Sequence, residues 1–336
     1  MEPGTSGPGF IDLIYKCNRM EIPDVAPSQC MPFIIEGCQV GLIPKSFWKH
    51  LETYSDVFYL ESTEKHGDCI HLHHFSSVEE RSRKVEAVLK DLRGKKIFKK
   101  LQGWRNEVSL GIRFLCNRWS IGPHIHIHTL YIHIYIHTHF VADIFGIHSY
   151  GTHLNGYTYS ADGKLMMWIG RRSATKPTWP GKLDNLSAGG LPVNMSVLEC
   201  MIRECQEEAS IDESLLKKLI PTGSVSYMYG TQDGLYPETQ FVFDLELPPD
   251  FAPKNADGEM SNFYLLTIDE IKKKILEEDF KPNCALIILD FLVRMGIVTP
   301  DTEPRYLEIV ELLHRPIQYL FRDFTFWSKS DIPRFQ

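Results

Sequence analysis

The chain has 336 residues, a formal net charge of −7 and 24% charged side chains, and its length suits two domains better than one. It has no concentrated Lys/Arg tract, which argues against nucleic acid as the main partner. The eight cysteines are scattered without a C-x-x-C pair, so they predict free thiols in a reducing compartment rather than a disulfide framework.

The first ten residues carry no targeting pattern. They are rich in Gly, Pro and Ser, and they lack the charged and apolar regions of a signal peptide and the arginines of a transit peptide. No segment reaches the roughly 18 consecutive apolar residues of a membrane helix. We therefore expect a cytoplasmic protein without a membrane partner.

Residues 8–118 predict a mixed α/β domain. Periodicity and turn signals place its helices and strands, in chain order, at 10–19, 33–35, 40–43, 57–60 and 78–90. A further predicted strand carries His71, His73 and His74. A metal site would need a further ligand nearby and the sequence marks no clear one, so we interpret them as surface or half-buried side chains rather than a metal site.

Residues 119–140 are the oddest segment, because six histidines alternate with isoleucine and a few other residues between positions 124 and 140. Period-2 alternation is typical of a strand whose histidines could bind zinc. A His-rich tract can also be a low-complexity metal-binding segment. A third interpretation is a translated repeat of CA and TA dinucleotides, whose codons specify His, Ile, Tyr and Thr. We favour the third, and predict a disordered insertion without a function of its own.

Residues 141–295 predict a second domain, followed by a helical C-terminal tail at 296–336. Strands are predicted at 151–159, 165–170, 225–228, 240–247 and 262–266, and helices at 268–276 and 283–295. The amphipathic segment 306–321 is expected to pack back onto this domain.

The centre of the second domain carries a cluster of carboxylates. Ser196-x-x-Glu199 is a capping box, which predicts a helix, and Leu198, Ile202, Cys205 and Ala209 then form an apolar stripe. The acidic side chains that follow the cap lie off that stripe and share one face: Glu204, Glu207 and Glu208. Close like charges repel, so the cluster indicates a hard cation such as Mg²⁺, whose oxygen ligands are usually shared with substrate phosphates.

The residues from Gly189 to Ile211 resemble the Nudix box, G-x5-E-x7-R-E-U-x-E-E-x-G-U, where U is a bulky apolar residue. The glycine, the R-E pair, the E-E pair and the last U are all present. Two positions differ: Met195 replaces the first glutamate, and Ser210 replaces the last glycine. If Ser210 adopts the positive φ of that glycine, the expected cost is about 1 kcal/mol.

The resemblance covers roughly residues 8–118 and 141–315, and it is specific to one branch of the Nudix hydrolases. The flanking segments are similar to Nudix domains related to thiamine-pyrophosphokinase-associated proteins, which carry an extra N-terminal domain. The supporting segments are 149–157, 168–173, 175–185, 223–227, 237–245 and the G-W-R-N-E motif at 103–107. The implied fold is a Nudix α/β/α sandwich with a mixed sheet, preceded by a smaller mixed α/β domain.

The resemblance also implies the site residues. Its metal ligands would be Glu204, Glu207, Glu208 and the backbone carbonyl of Ala188, with Mg²⁺ as the cation and Mn²⁺ as the alternative. Gly189, Gly190 and Arg203 would be structural, with Arg203 bracing Glu207 at i+4.

Further candidates lie outside the motif. Glu259, on a later loop, is a candidate ligand or general base. Cations suit phosphate oxygens, so Arg171, Arg172 and Lys176 are candidate phosphate contacts. Trp179 either stacks on a heteroaromatic ring or packs in the core.

The implied reaction is metal-dependent cleavage of a small-molecule diphosphate to a monophosphate. The branch points to oxidised or damaged thiamine diphosphates. The alternatives are 8-oxo-dGDP or another nucleoside diphosphate, and a non-catalytic Nudix module that only binds its ligand. Thiamine favours aromatic and acidic partners and purines favour amides, and the sequence supplies both.

Overall fold

The computed structural model describes residues 9–19, 26–64, 67–103, 116–119, 127–130, 144–192 and 195–321. Its first part contains α1 (Phe10–Cys17), β1 (Cys30–Ile35), β2 (Cys38–Pro44), α2 (Lys45–Leu51), β3 (Phe58–Thr63), β4 (Gly67–Leu72) and α3 (Val78–Gly94). The four strands form a mixed sheet in the order β2-β1-β4-β3, in which β1 runs antiparallel to β2 and parallel to β4. This confirms the predicted small mixed α/β domain.

A short hairpin follows. Strands β5 (Cys116–Trp119) and β6 (Ile127–Leu130) pair antiparallel in a sheet of their own. Residues 127–130 of the His/Ile-rich segment therefore form a strand, as in the first of the three interpretations, and the disorder that we favoured is wrong for these four residues. The rest of that segment and Trp104 to Glu107 of the G-W-R-N-E motif lie outside the described residues. The origin of the segment as a translated repeat stays a prediction.

The second domain is built on a seven-stranded mixed sheet. Its elements are β7 (Ser149–Tyr159), β8 (Leu165–Arg172), β9 (Leu183–Asp184), β10 (Ser187–Gly190), α4 (Val197–Ala209), α5 (Glu213–Leu216), β11 (Ile220–Thr231), β12 (Gly234–Glu246), β13 (Met260–Thr267), α6 (Ile268–Lys274), α7 (Pro282–Arg294) and α8 (Tyr306–Leu313). The long strands follow the order β11-β12-β7-β8-β13, with β7 parallel to β12. The short strand β10 pairs with β7, and β9 pairs with β8.

Helices cover both faces of this sheet. Side chains alternate between the faces along each strand, so both faces present apolar side chains for a helix to cover. On one face, Leu154 and Phe243 pack against Met201 and Cys205 of α4. On the other face, Val242 shares a core with apolar residues of α7 and α8. The predicted α/β/α sandwich is confirmed. The predicted amphipathic tail also packs back onto the domain, through Ile309 and Leu313.

The two domains exchange short segments. Helix α1 precedes the first sheet in the chain, yet Ile11 and Ile14 lie in the core that α7 and α8 build in the second domain. In return, Phe145 stacks on Phe33 in the first core, with ring centroids 5.1 Å apart. Gly146 permits this crossing: its φ is +56°, and a Cβ there would lie 2.0 Å from the Leu42 carbonyl oxygen. Each core therefore contains residues from both sides of the predicted boundaries.

Two sequence-based expectations concern the state of the cysteines and the presence of membrane-spanning helices. The seven cysteines whose side chains the structure describes are buried and form no disulfide with one another. Among the helices within the described ranges, none is both long enough and apolar enough to cross a bilayer.

A histidine in the tail should make stability depend on pH. His314 Nε2 lies 3.2 Å from Asp290, which also pairs with Arg294, and Arg294 in turn binds Asp244. The hydrogen bond to Asp290 raises the pKa of His314 despite partial burial. The stabilisation is then fully present below about pH 6.5 and disappears as pH rises through the raised pKa.

His314→Gln should therefore lower the free energy of unfolding at pH 6 and leave it nearly unchanged at pH 9. Because the His314 side chain is 46% exposed, solvent screening should keep the loss below about 1 kcal/mol. Urea unfolding at the two pH values measures it. An equal loss at both would show that packing, not charge, holds the tail.

Candidate active site

Helix α4 carries the motif and begins as predicted. The Ser196 side chain accepts a hydrogen bond from the Glu199 N–H at 3.2 Å, and the Glu199 carboxylate accepts one from the Ser196 N–H at 2.8 Å. This reciprocal pair is the predicted capping box, and it fixes the first turn.

The helix ends at Ser210, which adopts the left-handed conformation with φ 53° and ψ 40°. The expected positive φ at this glycine-like position is therefore confirmed. The Ser210 hydroxyl donates to the Lys254 carbonyl at 2.8 Å, a bond that glycine could not make. That bond partly offsets the backbone strain.

The buried face of α4 differs from the predicted stripe. Leu198 is 49% exposed, whereas Cys200, Met201, Cys205, Ala209 and Glu208 are buried. The prediction that all three carboxylates lie off the apolar stripe is wrong for Glu208, which is 1% exposed. Glu208 follows Met201 by seven residues, and this spacing returns it to the same helical face.

Glu208 is held against strand β10. Its Oε2 accepts a hydrogen bond from the Ala188 N–H at 2.8 Å. Burial, together with the nearby Asp184 and Glu204 carboxylates, raises the pKa of Glu208 to about 8, although the Ala188 hydrogen bond acts in the opposite direction. A buried carboxylate in this electrostatic setting is stabilised in its charged form by a nearby cation. The placement therefore fits a metal ligand.

Glu204 lies directly over Gly189, which explains the opening glycine of the motif. A Cβ on Gly189 would lie 2.2 Å from Glu204 Cδ and 2.4 Å from its Oε1. The Glu204 side chain is only 12% exposed, and its Oε1 lies 2.5 Å from Arg203 Nη2. Any side chain at position 189 would displace this carboxylate.

Arg203 braces two carboxylates rather than one. Besides Glu204, it approaches Glu207, with 3.6 Å between Arg203 Nε and Glu207 Oε2. The predicted brace on Glu207 is therefore present, although the contact with Glu204 is shorter. Glu207 is 54% exposed, which leaves its carboxylate open toward solvent.

The three carboxylates are not gathered into a ready-made cage. In the part of the chain that the structure describes, no group of three or more His, Cys, Asp or Glu side chains is arranged to hold a metal ion. Each carboxylate instead turns to its own protein partner, either Arg203 or the Ala188 N–H. The donor chemistry, carboxylate and peptide oxygen, fits Mg²⁺ or Mn²⁺. The assignment of Glu204, Glu207, Glu208 and Ala188 as ligands stays a prediction.

Lys176 and Glu259, which come from distant loops, meet in the structure as an ion pair. The Lys176 side chain is 17% exposed. Burial lowers the pKa of Lys176 and Arg172 lowers it further, while Glu208 and Asp184 act in the opposite direction. The candidate phosphate contact and the candidate base therefore share one position beside the carboxylates.

The two candidate arginines are bound by the protein itself. Arg171 pairs with Asp279 at 2.8 Å and donates to the Gly181 carbonyl at 2.7 Å. Arg172 pairs with Asp184 at 2.7 Å and donates to the Thr178 and Trp179 carbonyls. Both guanidinium groups therefore bind carboxylates and carbonyls of the protein, and their role as phosphate contacts stays a prediction.

Trp179 is presented at the surface. Its side chain is 46% exposed, so the core-packing alternative is wrong. Lys182 Nζ lies 5.8 Å from the ring centroid, in range for a cation–π contact. The stacking role of Trp179 stays a prediction.

Sequence reasoning missed a buried polar cluster behind these loops. Asp184 accepts hydrogen bonds from the Asn185 N–H at 2.8 Å and from Cys284 Sγ at 2.6 Å, and it lies 3.5 Å from Lys281 Nζ. His153 Nδ1 lies 2.8 Å from Asn185 Oδ1, and burial lowers the pKa of His153 to about 4. The sequence gives no signal for this cluster. The strand that carries Asp184, β9, is only two residues long, which is too short to show a periodic pattern.

Comparisons with known proteins agree with this geometry. The NUDIX domain model matches residues 154–285, and a domain of unknown function (DUF4743) matches residues 9–109. Nudix hydrolase 24, chloroplastic, of Arabidopsis thaliana is 36% identical over 308 residues, which are 91% of this chain and 77% of that protein. Nudix hydrolase 20, chloroplastic, of the same plant is 35% identical over 315 residues, again 91% and 77%.

A third relative, the uncharacterized protein YJR142W of Saccharomyces cerevisiae, is 33% identical over 300 residues, covering 84% of this chain and 82% of its own. All three similarities are too long to be confined to the NUDIX match, so they take in the N-terminal part as well. With the motif carried on a capped helix over Gly189, the chain belongs to the Nudix hydrolases, enzymes that act on pyrophosphate bonds.

Proposed function

We propose that this protein is a divalent-metal-dependent diphosphohydrolase that converts oxidised or damaged thiamine diphosphates to monophosphates. The observation that carries the reaction is the pair of contacts that hold Glu204 over Gly189 and Glu208 on the Ala188 N–H. These contacts fix two carboxylates beside one strand edge, where Glu207 is the third acidic side chain of the same helix.

The residues divide the chemistry between them. A bound Mg²⁺, or Mn²⁺ as the alternative, would neutralise phosphate charge and lower the pKa of a bound water. Glu204, Glu207, Glu208 and the Ala188 carbonyl would hold it. Lys176 offers an ammonium group to a phosphate oxygen, and Glu259, its partner here, then becomes available to accept a proton.

The choice of substrate rests on the surface around Lys176. The exposed Trp179 ring can stack on a planar heteroaromatic ring such as the pyrimidine of a thiamine compound, oxidised or not. A nucleoside diphosphate such as 8-oxo-dGDP is the second candidate, because the exposed Trp179 ring can also stack on a purine base.

We propose a reducing compartment, the cytoplasm, as the location. The buried cysteines support this, because those that the structure describes form no disulfide with one another. The two plant relatives carry the word chloroplastic in their names, and that word describes those proteins.

The test measures phosphate or monophosphate release with Mg²⁺ from oxothiamine diphosphate, thiamine diphosphate and 8-oxo-dGDP. Glu207→Gln removes a ligand charge from a 54% exposed side chain, so the protein should fold and lose at least about 100-fold in kcat. Glu199→Gln is the matched control on the same helix, because glutamine also completes a capping box.

The ranking of the three substrates decides between the two enzyme proposals. Metal-dependent turnover of 8-oxo-dGDP in preference to the thiamine compounds would replace the first proposal with the second. A folded protein that binds these diphosphates without cleaving any of them would instead be a non-catalytic Nudix module.

A further inference from the structure

Arg172 occupies an unusual position for a cation near a phosphate site. It is 6% exposed, and its guanidinium group is bound on three sides by the protein. Nη1 donates to Asp184 Oδ2 at 2.7 Å, Nη2 donates to the Thr178 carbonyl at 2.9 Å, and Nε donates to the Trp179 carbonyl at 3.1 Å. Its donors are therefore used to hold the turn at residues 178–179.

That turn is strained. Trp179 has a φ of +51°, a left-handed conformation that a bulky side chain rarely adopts. Such a conformation is unfavourable and persists only where the surrounding structure fixes it. Arg172 provides this restraint, because it donates hydrogen bonds to the Thr178 carbonyl, just before Trp179, and to the carbonyl of Trp179 itself.

The same turn belongs to the loop that carries Lys176. The Arg172 N–H donates to the Lys182 carbonyl at 2.9 Å, which closes the base of the loop. The Ser173 N–H donates to the Glu259 carbonyl at 2.8 Å, and this ties the second loop to the same point. Arg172 and Ser173 thus anchor both loops that meet in the Lys176–Glu259 pair.

We propose that Arg172 is a positioning residue whose clamp on residues 178–179 holds Lys176 and Trp179 for substrate binding. Asp184 anchors the guanidinium group from the core side. This inference rests on the proposed function for its kinetic consequence, while its structural consequence can be measured without any substrate. An arginine is required because its planar fork reaches a carboxylate and two carbonyls together, whereas a lysine ammonium is a single point charge.

The decisive variant is therefore Arg172→Lys, which keeps the charge beside Asp184 and loses the fork. Because the clamp serves substrate contacts and not the carboxylates of α4, KM should rise about tenfold while kcat changes less than about threefold. The second readout is acrylamide quenching of Trp179, taken as the difference between each protein and its Trp179→Phe counterpart. Release of the turn should raise the quenching constant about twofold.

Arg294→Gln is the matched control. Arg294 is also a partly buried arginine bound to two carboxylates, Asp244 and Asp290, but it lies on α7 and contacts neither loop. It should lose stability without changing KM or Trp179 quenching. Arg172→Gln extends the series, and if that variant fails to fold, Arg172→Lys decides.

Three results overturn the inference. First, wild-type KM together with wild-type Trp179 quenching in a folded Arg172→Lys protein would show that the clamp does not exist. A rise in KM for Arg294→Gln of the same size would assign the effect to general destabilisation. If the wild-type protein cleaves none of the tested diphosphates, the proposed function is rejected. The clamp is then tested by quenching alone, and unchanged Trp179 quenching in Arg172→Lys would reject it.

Discussion

Replacing Gly189 by alanine is expected to lower kcat by about 100-fold while the protein stays folded. The added Cβ would overlap Glu204 Cδ at 2.2 Å. Strand β10 cannot move away easily because it is paired with β7 from Ser187 to Gly190. The Glu204 side chain is the softer partner, so it should rotate away from Ala188 and Glu208. The loss should therefore appear in kcat more than in stability, whose change should stay below about 2 kcal/mol.

Gly94→Ala is the matched control for that variant. Gly94 ends α3 in the other domain, and a Cβ there meets no atom within 4 Å. Steady-state kinetics with Mg²⁺ and urea unfolding of both variants provide the comparison. Full activity in Gly189→Ala would mean that the position of Glu204 over this strand is not needed for turnover.

Asp184→Asn should cause the largest loss of stability, about 3–5 kcal/mol, because it leaves two buried cations without their shared partner. Asp184 is fully buried and contacts Arg172 at 2.7 Å and Lys281 at 3.5 Å. Burial alone would raise the pKa of Asp184, but Lys281 and Arg172 hold it well below its usual range. The stabilisation is therefore present above the unfolded-state pKa of about 4 and is lost as pH falls through the lower folded-state value.

Asp279→Asn is the matched control, since it removes the carboxylate of a similar arginine pair at the surface. The Asp279 side chain is 44% exposed, so its loss should cost less than about 1 kcal/mol. Urea unfolding between pH 3 and pH 8 should show the difference between wild type and Asp184→Asn shrinking only at the acid end. Equal, small losses for both variants would show that the Asp184 cluster contributes no more than a surface pair.

The site could be predicted where its signals are local. The capping box at Ser196 and the left-handed turn at Ser210 follow from chemistry within one helix and its ends. Gly189 is predicted from the resemblance of the motif, and its contact with Glu204 joins a strand to that helix. The long strands and α7 also follow from periodicity. The predicted bounds of β7, β8, β13 and α7 differ from the observed ones by at most two residues, whereas β11 begins five and β12 six residues before its predicted start.

What could not be predicted depends on contacts between distant residues. A carboxylate reads as exposed in any periodicity analysis, yet Glu208 is buried because the Ala188 N–H from another strand satisfies it. Likewise, Arg171 and Arg172 are adjacent in the sequence and equally cationic. That Arg171 pairs with Asp279 and Arg172 with Asp184 depends on the tertiary fold. Tertiary packing decides such cases, and no local pattern encodes it.

The exchange of segments between the two cores also constrains the order of events during synthesis. Helix α1 leaves the ribosome about 270 residues before α7, the helix that its apolar face covers. At 5–20 residues per second, that interval lasts roughly 15 to 50 seconds. During it, Ile11, Leu13 and Ile14 have no native surface to bury against. The nascent chain therefore carries an exposed apolar helix through most of its translation, and a chaperone that holds such segments should improve its yield.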